Sequence, residues 1–376
     1  MSNSNPLPTD IAAALRRQVI GQEAAVREIA IALAKKLAGL PAGNVLLIGS
    51  SGTGKTTLMR AVEGYLASEP RLADRSTLVR VHANILAQES EEGRAGGALL
   101  RRLLDRAREQ LGGEASRAEL LARISRGIVF VDEIDKIRAT VGGSAHLPGI
   151  RAQEALLTLI ENEAVPFSLP EWAGGETVAV DASGLLFVGA GAFEGLYDAV
   201  YDRVTVGRDR GALQAVSVVE EGSVREELRF ALRDWLESED LFDYGMTPQF
   251  LSRFDAVVLL NDLGAEELMR VFADSPDCGL HQARAYFESQ GVRLAVSPEA
   301  VKRIAAEAAR QPRLGARALK EVFRRVIRDF EFEPSRWAAD GALIIDLPEV
   351  EASLSGAELS GRSGGASRPS GSAPGK

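Results

Sequence analysis

Cysteine is nearly missing from this chain of 376 residues: Cys278 stands alone. A single thiol excludes any disulfide within the chain and every zinc module built from cysteine pairs, and it suits a reducing compartment. With no evident activating neighbour, Cys278 reads as a small apolar side chain. Histidine is almost as scarce. His82, His146 and His281 share no ligand spacing, so each reads as a surface or packing residue rather than a metal ligand. No apolar run reaches membrane-spanning length, and the opening Met-Ser-Asn-Ser-Asn-Pro has no apolar leader core, so no membrane contact is expected and the cytoplasm is the expected compartment. Positive charge is also in deficit: 44 Lys and Arg against 53 Asp and Glu leave a net charge of −9, which repels phosphate backbones and argues against a nucleic-acid partner. Aromatics make up only 6%, but 45% hydrophobic and 26% charged residues are ordinary for a globular α/β protein, and the length suffices for two domains.

What the chain does have begins at residue 45. The apolar run Val45-Leu46-Leu47-Ile48 leads into Gly49-Ser50-Ser51-Gly52-Thr53-Gly54-Lys55-Thr56-Thr57 and then into the helical Leu58-Met59-Arg60-Ala61-Val62. Buried strand, glycine-rich turn and helix N-terminus in this order aim backbone N–H groups at one anion-sized hollow, the arrangement of a P-loop. In that arrangement Lys55 reaches the β- and γ-phosphates of a nucleoside triphosphate and the Thr56 hydroxyl ligates Mg²⁺. A glycine-rich turn that binds nothing is the bland alternative, and a complete G-x-x-x-x-G-K-T in strand-loop-helix context leaves it little room.

A second element bears on the fate of the nucleotide. Ile128-Val129-Phe130-Val131 can cross a buried parallel sheet, and Asp132-Glu133 then emerge at its C-terminal edge, where α/β proteins hold ligands. Asp132 is placed to hold the Mg²⁺ shell, and Glu133, pointing differently, to orient and deprotonate an attacking water. Taken alone, the pair could be solvated acids ending a core strand; downstream of a P-loop, hydrolysis of ATP is the better reading. Simple nucleotide kinases usually lack the second acid.

Along the chain, strands and helices alternate, which predicts an α/β fold with a parallel sheet flanked by helices. Residues 1–8 read as a flexible start and 9–260 as the large nucleotide-binding domain. Residues 261–348 form a smaller, mainly helical domain, closing with Leu319, Val322, Phe323, Val326, Ile327 and Phe330 at helical spacing. Residues 349–376, rich in Gly, Ser and Pro, read as a disordered tail. The stretch 88–97 reads as polar, 141–150 as a Gly- and Pro-containing loop, and 201–221 as an irregular insertion without a period.

The runs Val19-Ile20-Gly21-Gln22, the P-loop, Arg126 to Ile137 with Asp-Glu-Ile-Asp-Lys-Ile at its end, Gly191-Ala192-Phe193, Pro248 to Phe254, and Gly315-Ala316-Arg317 follow the order and spacing of the ClpX-type AAA+ unfoldases of the Clp/HSP100 family. The resemblance covers roughly residues 10–347. It implies an AAA+ P-loop NTPase fold with a small C-terminal domain, ATP and Mg²⁺ as ligands, and a homo-hexameric ring with sites at subunit interfaces. By the same resemblance Val19 and Ile20 lie against the adenine ring, Arg253 is the arginine finger that completes a neighbour's site, and Arg317 is the sensor-2 arginine that links the small domain to the γ-phosphate. No sensor-1 residue is assigned, because the strand from Leu185 to Val188 runs into Gly189-Ala190-Gly191 where a polar side chain is usual.

The departures from the family are equally specific. Its Gly-Tyr-Val-Gly pore loop falls on Ser90-Glu91-Glu92-Gly93; the second pore region reads Ser144 to Arg151 without Arg-Asp-Val-Ser; and the expected ClpP-docking loop near Thr205 to Gly211 has no Ile-Gly-Phe. A zinc domain like the family's is also not expected, with one cysteine to build it. Hydrated carboxylates make a poor sequence-tolerant grip on a passing chain, because their desolvation is costly. Three readings follow: an ATPase that remodels specific protein partners, a nucleotide-switched scaffold that threads nothing, and an unfoldase serving ClpP. The altered loops favour the first two, and ClpP docking is not expected.

Overall fold

The computed structural model describes residues 5–69, 77–91, 96–113, 115–161, 164–206, 214–220, 223–275 and 278–356. These fall into two compact units, one running to Asn261 and one starting at Asp262.

The first unit is built on a five-stranded parallel sheet in the order Ala256–Leu259, Val45–Ile48, Leu186–Gly191, Ile128–Asp132, Leu78–His82. The inner strands are nearly continuous runs of Val, Leu, Ile and Phe because both faces are covered. Leu46, Ile48, Val129, Val131 and Phe187 point into one core, and Val45, Leu47, Ile128, Phe130 and Val188 into the other. Helices Pro8–Leu15, Glu23–Leu37 and Lys55–Ser68 cover the second face. On the first face lies Gly97–Leu111, which buries Leu99, Leu100, Leu103, Leu104 and Ala107 at i, i+3 and i+4 spacing while its arginines stay outside. Arg117–Ile124 follows, started by a reciprocal cap in which Ser116 Oγ accepts from Glu119 N at 3.3 Å and Ser116 N donates to Glu119 Oε2 at 2.8 Å.

Asn44 ties three strands together just before the P-loop strand begins. Its Oδ1 accepts from Phe187 N at 2.9 Å, its Nδ2 donates to Arg253 O at 3.0 Å, and its own N donates to Asp255 Oδ2 at 2.9 Å. This clamp sets where the strands start, and therefore where their functional ends finish.

Several sequence expectations need correction. The stretch 88–97, read only as polar, begins inside the helix Ala83–Glu91, which adds to that reading without overturning it; residues 92–95 lie outside the described residues. The expected loop 141–150 is a tight hairpin, Thr140–Val141 against Ser144–Ala145, followed at once by the helix Leu147–Glu161. Proline at the second position of that helix costs no hydrogen bond, which is why the local composition misled. The expected irregular insertion at 201–221 contains the end of the helix Leu196–Thr205 and the strand Gln214–Glu220, paired antiparallel with Ser223–Arg229. Gly-Ser-Pro composition placed the tail at 349, yet Leu347–Ser355 is a helix with a capping box between Asp346 and Glu349 and a fully buried Val350; residues 357–376 lie outside the described residues.

The second unit is mainly helical, with a two-stranded parallel sheet of Arg293–Val296 and Ala342–Ile345. Its core is lined by Leu319, Val322, Phe323, Val326, Ile327 and Phe330 of the helix Ala316–Phe332, the set read from periodicity. Phe272 meets Phe323 edge to face at 4.9 Å. Cys278 is buried there and donates to Phe272 O, a packing role. Among the described residues, no helix is long and apolar enough to cross a membrane.

Candidate nucleotide site

The Val45–Ile48 strand ends at Gly49, and the helix Lys55–Ser68 begins six residues later. Gly54 precedes the helix with φ of 103°, a backbone that a side chain would strain, so the turn demands glycine there. Thr53 is buried and its Oγ1 donates to Ser50 O at 2.8 Å, closing the loop on itself. Gly49, Ser50, Ser51, Gly52, Thr53, Gly54, Lys55, Thr56 and Thr57 therefore stand together as one loop and helix start, whose backbone N–H groups and helix dipole favour an anion. Lys55 Nζ donates to the loop's own carbonyls, Gly49 O and, at 2.8 Å, Ser50 O.

Asp132 ends its strand at the same C-terminal edge, one strand removed from the P-loop strand. Its Oδ1 accepts from Glu133 N at 2.9 Å, and its Oδ2 is paired with the Arg80 guanidinium. Glu133 has φ of 55°, unusual for a residue with a side chain. That left-handed turn is what sends two consecutive carboxylates in different directions. Glu133 is half exposed, and His82 Nδ1 lies 3.8 Å from its Oε2, the two brought together because His82 and Asp132 are paired in register. The surface reading of His82 needs that addition. Among the described residues no group of three or more His, Cys, Asp or Glu is gathered as a metal cage. A threonine hydroxyl and one carboxylate form a sparse set of hard oxygen donors, which fits Mg²⁺ held mainly through phosphates and water.

Between those strands runs Leu186–Gly191, whose last residue has no room for a side chain. A Cβ on Gly191 would lie 2.7 Å from Asp135 Oδ1 and 2.7 Å from Phe193 Cε2. This accounts physically for the missing polar residue at that position. Asp135 itself is buried, accepts from Ala192 N at 3.1 Å, and leaves Oδ2 without a hydrogen-bond partner among the described residues. Burial, with the Asp135 charge second, pushes the Tyr244 hydroxyl up to about 12.

Val19 is buried and Ile20 half-buried in the turn between the first two helices. The neighbouring Gln22 is the residue that sequence reasoning undervalued. Fully enclosed, it donates to Thr53 O at 2.9 Å and Asn261 O at 2.8 Å and accepts from Asn261 N at 2.8 Å, so it joins the P-loop to the last residue of the first unit. A buried glutamine leaves no signature in composition; only its place in the Val-Ile-Gly-Gln run hinted at it.

Arg253 stands apart from this cluster. It follows the short helix Pro248–Leu251 and precedes the Ala256–Leu259 strand, at the N-terminal edge of the sheet and opposite the P-loop edge. It is exposed and paired with Glu161. Arg317 belongs to the second unit, in the first turn of Ala316–Phe332, where it is exposed while Ala318 and Leu319 turn inward.

Comparison with known proteins agrees with the geometry. Residues 45–204 match the ATPase family associated with various cellular activities (AAA), and residues 263–330 match the C-terminal D2-small domain of ClpB protein. The chain is 28% identical to ATP-dependent Clp protease ATP-binding subunit ClpX 3 of Methylococcus capsulatus, covering 94% of this chain and 85% of that one. It is 29% identical to the ClpX subunit of Azotobacter vinelandii, over 92% of this chain and 78% of that one. The ClpX subunit of Treponema denticola is likewise 29% identical, over 92% and 81%.

Proposed function

From the premise that the chain is a ClpX-like AAA+ ATPase, we propose that it hydrolyses Mg-ATP between the subunits of a homo-hexameric ring and uses the cycle to remodel specific protein partners. The observation that carries this is the division of the candidate machinery. Lys55, Thr56, Asp132 and Glu133 share the C-terminal edge of the sheet, while Arg253 sits at its N-terminal edge. A finger at the far edge of its own sheet serves a neighbour's nucleotide, not its own.

In this reading the loop from Gly49 to Thr57 cradles the phosphates, and Lys55 leaves its internal carbonyls for the β- and γ-oxygens. Val19 and Ile20 offer apolar surface to the adenine. Thr56 and Asp132 would hold Mg²⁺, which would supply charge neutralisation at the phosphates. Glu133 orients the attacking water and takes its proton. Arg253 of one subunit stabilises charge on the γ-phosphate bound by the next, and Arg317 couples the small unit to that phosphate. Glu133→Gln should retain ATP binding and lower turnover by about 10²-fold or more. Lost binding or unchanged turnover in that variant would contradict the assignment.

Remodelling rather than general threading is supported by sequence. Ser90-Glu91-Glu92-Gly93 stands where the family grips with an aromatic, and Thr205 to Gly211 lacks the apolar docking loop; residues 92, 93 and 207–211 lie outside the described residues. Of the second pore region, Ser144–Ala145 pairs with Thr140–Val141 in a tight hairpin and Leu147 to Arg151 open the helix Leu147–Glu161. A degradation assay with ClpP and a tagged fluorescent protein tests this: fluorescence should persist with ATP, and its loss at the rate of a full ClpX would overturn the proposal.

A further inference from the structure

The strand Leu78–His82 has an arginine in its middle, a position where buried parallel strands otherwise carry apolar side chains. Register explains what it does there. Arg80 lies opposite Phe130, so Asp132 is its diagonal neighbour on the same face, close enough for a long side chain to reach. The Arg80 guanidinium pairs with Asp132 Oδ2. Both groups are largely enclosed, with side-chain exposures of 33% and 16%. Arg80 O accepts from Arg102 Nη1 at 3.3 Å, so the strand is held from outside, and Arg80 Nε is a buried donor without a partner among the described residues. The guanidinium therefore has Asp132 as its main anchor.

We propose that Arg80 is a positioning residue that competes with the divalent cation for Asp132 and so sets how much Mg²⁺ the site demands. The inference rests on the reading of Asp132 as the metal acid given above. A carboxylate already neutralised by an internal guanidinium offers less charge to a dication than a free one. The guanidinium and the dication would be drawn to the same carboxylate, and each would weaken the other's hold by an equal factor, as linkage requires. A purely structural clamp would do the reverse: by holding the carboxylate in place it would help the metal. The direction of the effect thus separates the two roles.

The test uses the full-length protein and measures the affinity of fluorescent ADP in EDTA and across a MgCl₂ series. Arg80→Met keeps the apolar stem and removes the charge. It should lower the Mg²⁺ concentration at half effect roughly tenfold, as expected for loss of a partly enclosed ion pair, and leave the affinity in EDTA unchanged. Arg80→Gln, less apolar at the strand centre, should move it the same way if the first variant folds poorly. Arg80→Lys should stay near the wild-type midpoint. A midpoint that is unchanged or higher in the neutral variants overturns the proposal, as does a parallel change in EDTA. Asp132→Asn serves as the control on the underlying reading and should raise the midpoint. If it does not, the assignment of Asp132 is what fails; if it does and Arg80→Met has no effect, this inference alone fails.

Discussion

At the C-terminal edge of the central sheet, Asp132, Glu133 and Asp135 gather beside the P-loop, with Lys55, Arg80 and His82 folded against acceptors of the same chain. At the N-terminal edge, the Asn44 clamp, Lys36 and Arg253 meet the starts of the same strands. One edge gathers most of the candidate site residues; the other presents an exposed arginine whose partner in the chain is a surface glutamate. Parallel strands make this division unavoidable. All C-terminal strand ends fall on one side, so a residue placed where a strand begins is separated from them by the length of the strands. Two copies stacked edge to edge would bring the halves together.

The sharpest break in that comparison is Arg253→Ala. It should cut hydrolysis by about 10³-fold or more while each subunit still binds ATP. Mixed with Lys55→Ala, it should regain part of the activity, because arginine and P-loop then come from different chains. Normal hydrolysis by a protein that stays monomeric with ATP would show that the two edges do not cooperate.

The N-terminal edge also holds a stability cost of its own. Burial, with Arg126 second, lowers Lys36 to about 8, and its Nζ donates to Gly184 O. The unfolded chain keeps that proton up to the ordinary lysine range near 10.5, so the penalty is full below pH 8 and is relieved as pH rises from 8 to 10.5. Lys36→Met should stabilise the protein at pH 7 by about 2 kcal/mol and flatten its pH profile in that window. Denaturant melts at pH 7, 9 and 10.5 measure both, and a profile with the same slope in the variant would rule the account out.

Gln22→Ala probes the P-loop edge by the opposite route, because it strips partners from buried polar groups. Thr53 O, Asn261 N and Asn261 O each lose a hydrogen bond. A loss of about 1–3 kcal/mol in chemical denaturation is expected, with weaker nucleotide binding since Thr53 belongs to the loop. Retained stability would mean that water replaces the amide without cost.

The smallest effect belongs to Glu161→Gln, which releases Arg253 from an exposed pair. Such pairs are worth about 0–1 kcal/mol, so stability should hardly change, and ATPase activity should rise by no more than a few-fold as the arginine becomes free for a neighbour. A large drop in activity would instead make Glu161 part of the interface itself.

Much of the site was legible because its geometry is local. Gly49 to Thr57 builds its own cradle from nine consecutive residues, and Asp132-Glu133 follow four apolar residues that can only cross a covered sheet. The helix Ala316–Phe332 was equally plain from its period, which buries Leu319 to Phe330 in one stripe. Less legible were segments whose structure depends on a partner. Gln214–Glu220 is a strand by pairing with Ser223–Arg229, and Leu347–Ser355 is a helix that buries Val350 in a core made by other helices. Neither shows a strong period of its own.

The sequence by itself determined that this protein binds a nucleoside triphosphate, that two acids follow on a parallel strand, and that a helical unit comes after. Backbone torsion, periodicity and charge act over a few residues, and each of those features fits within such a span. Tertiary structure alone decided which side chains from distant segments would share an atom. Strand register set Arg80 on Asp132 and His82 beside Glu133; enclosure sent Gln22 to Thr53 and Asn261; and packing filled the space at Gly191 with Asp135. These contacts join residues 31 to 239 positions apart in the case of Gln22, and a register or a cavity exists only once the whole sheet has formed.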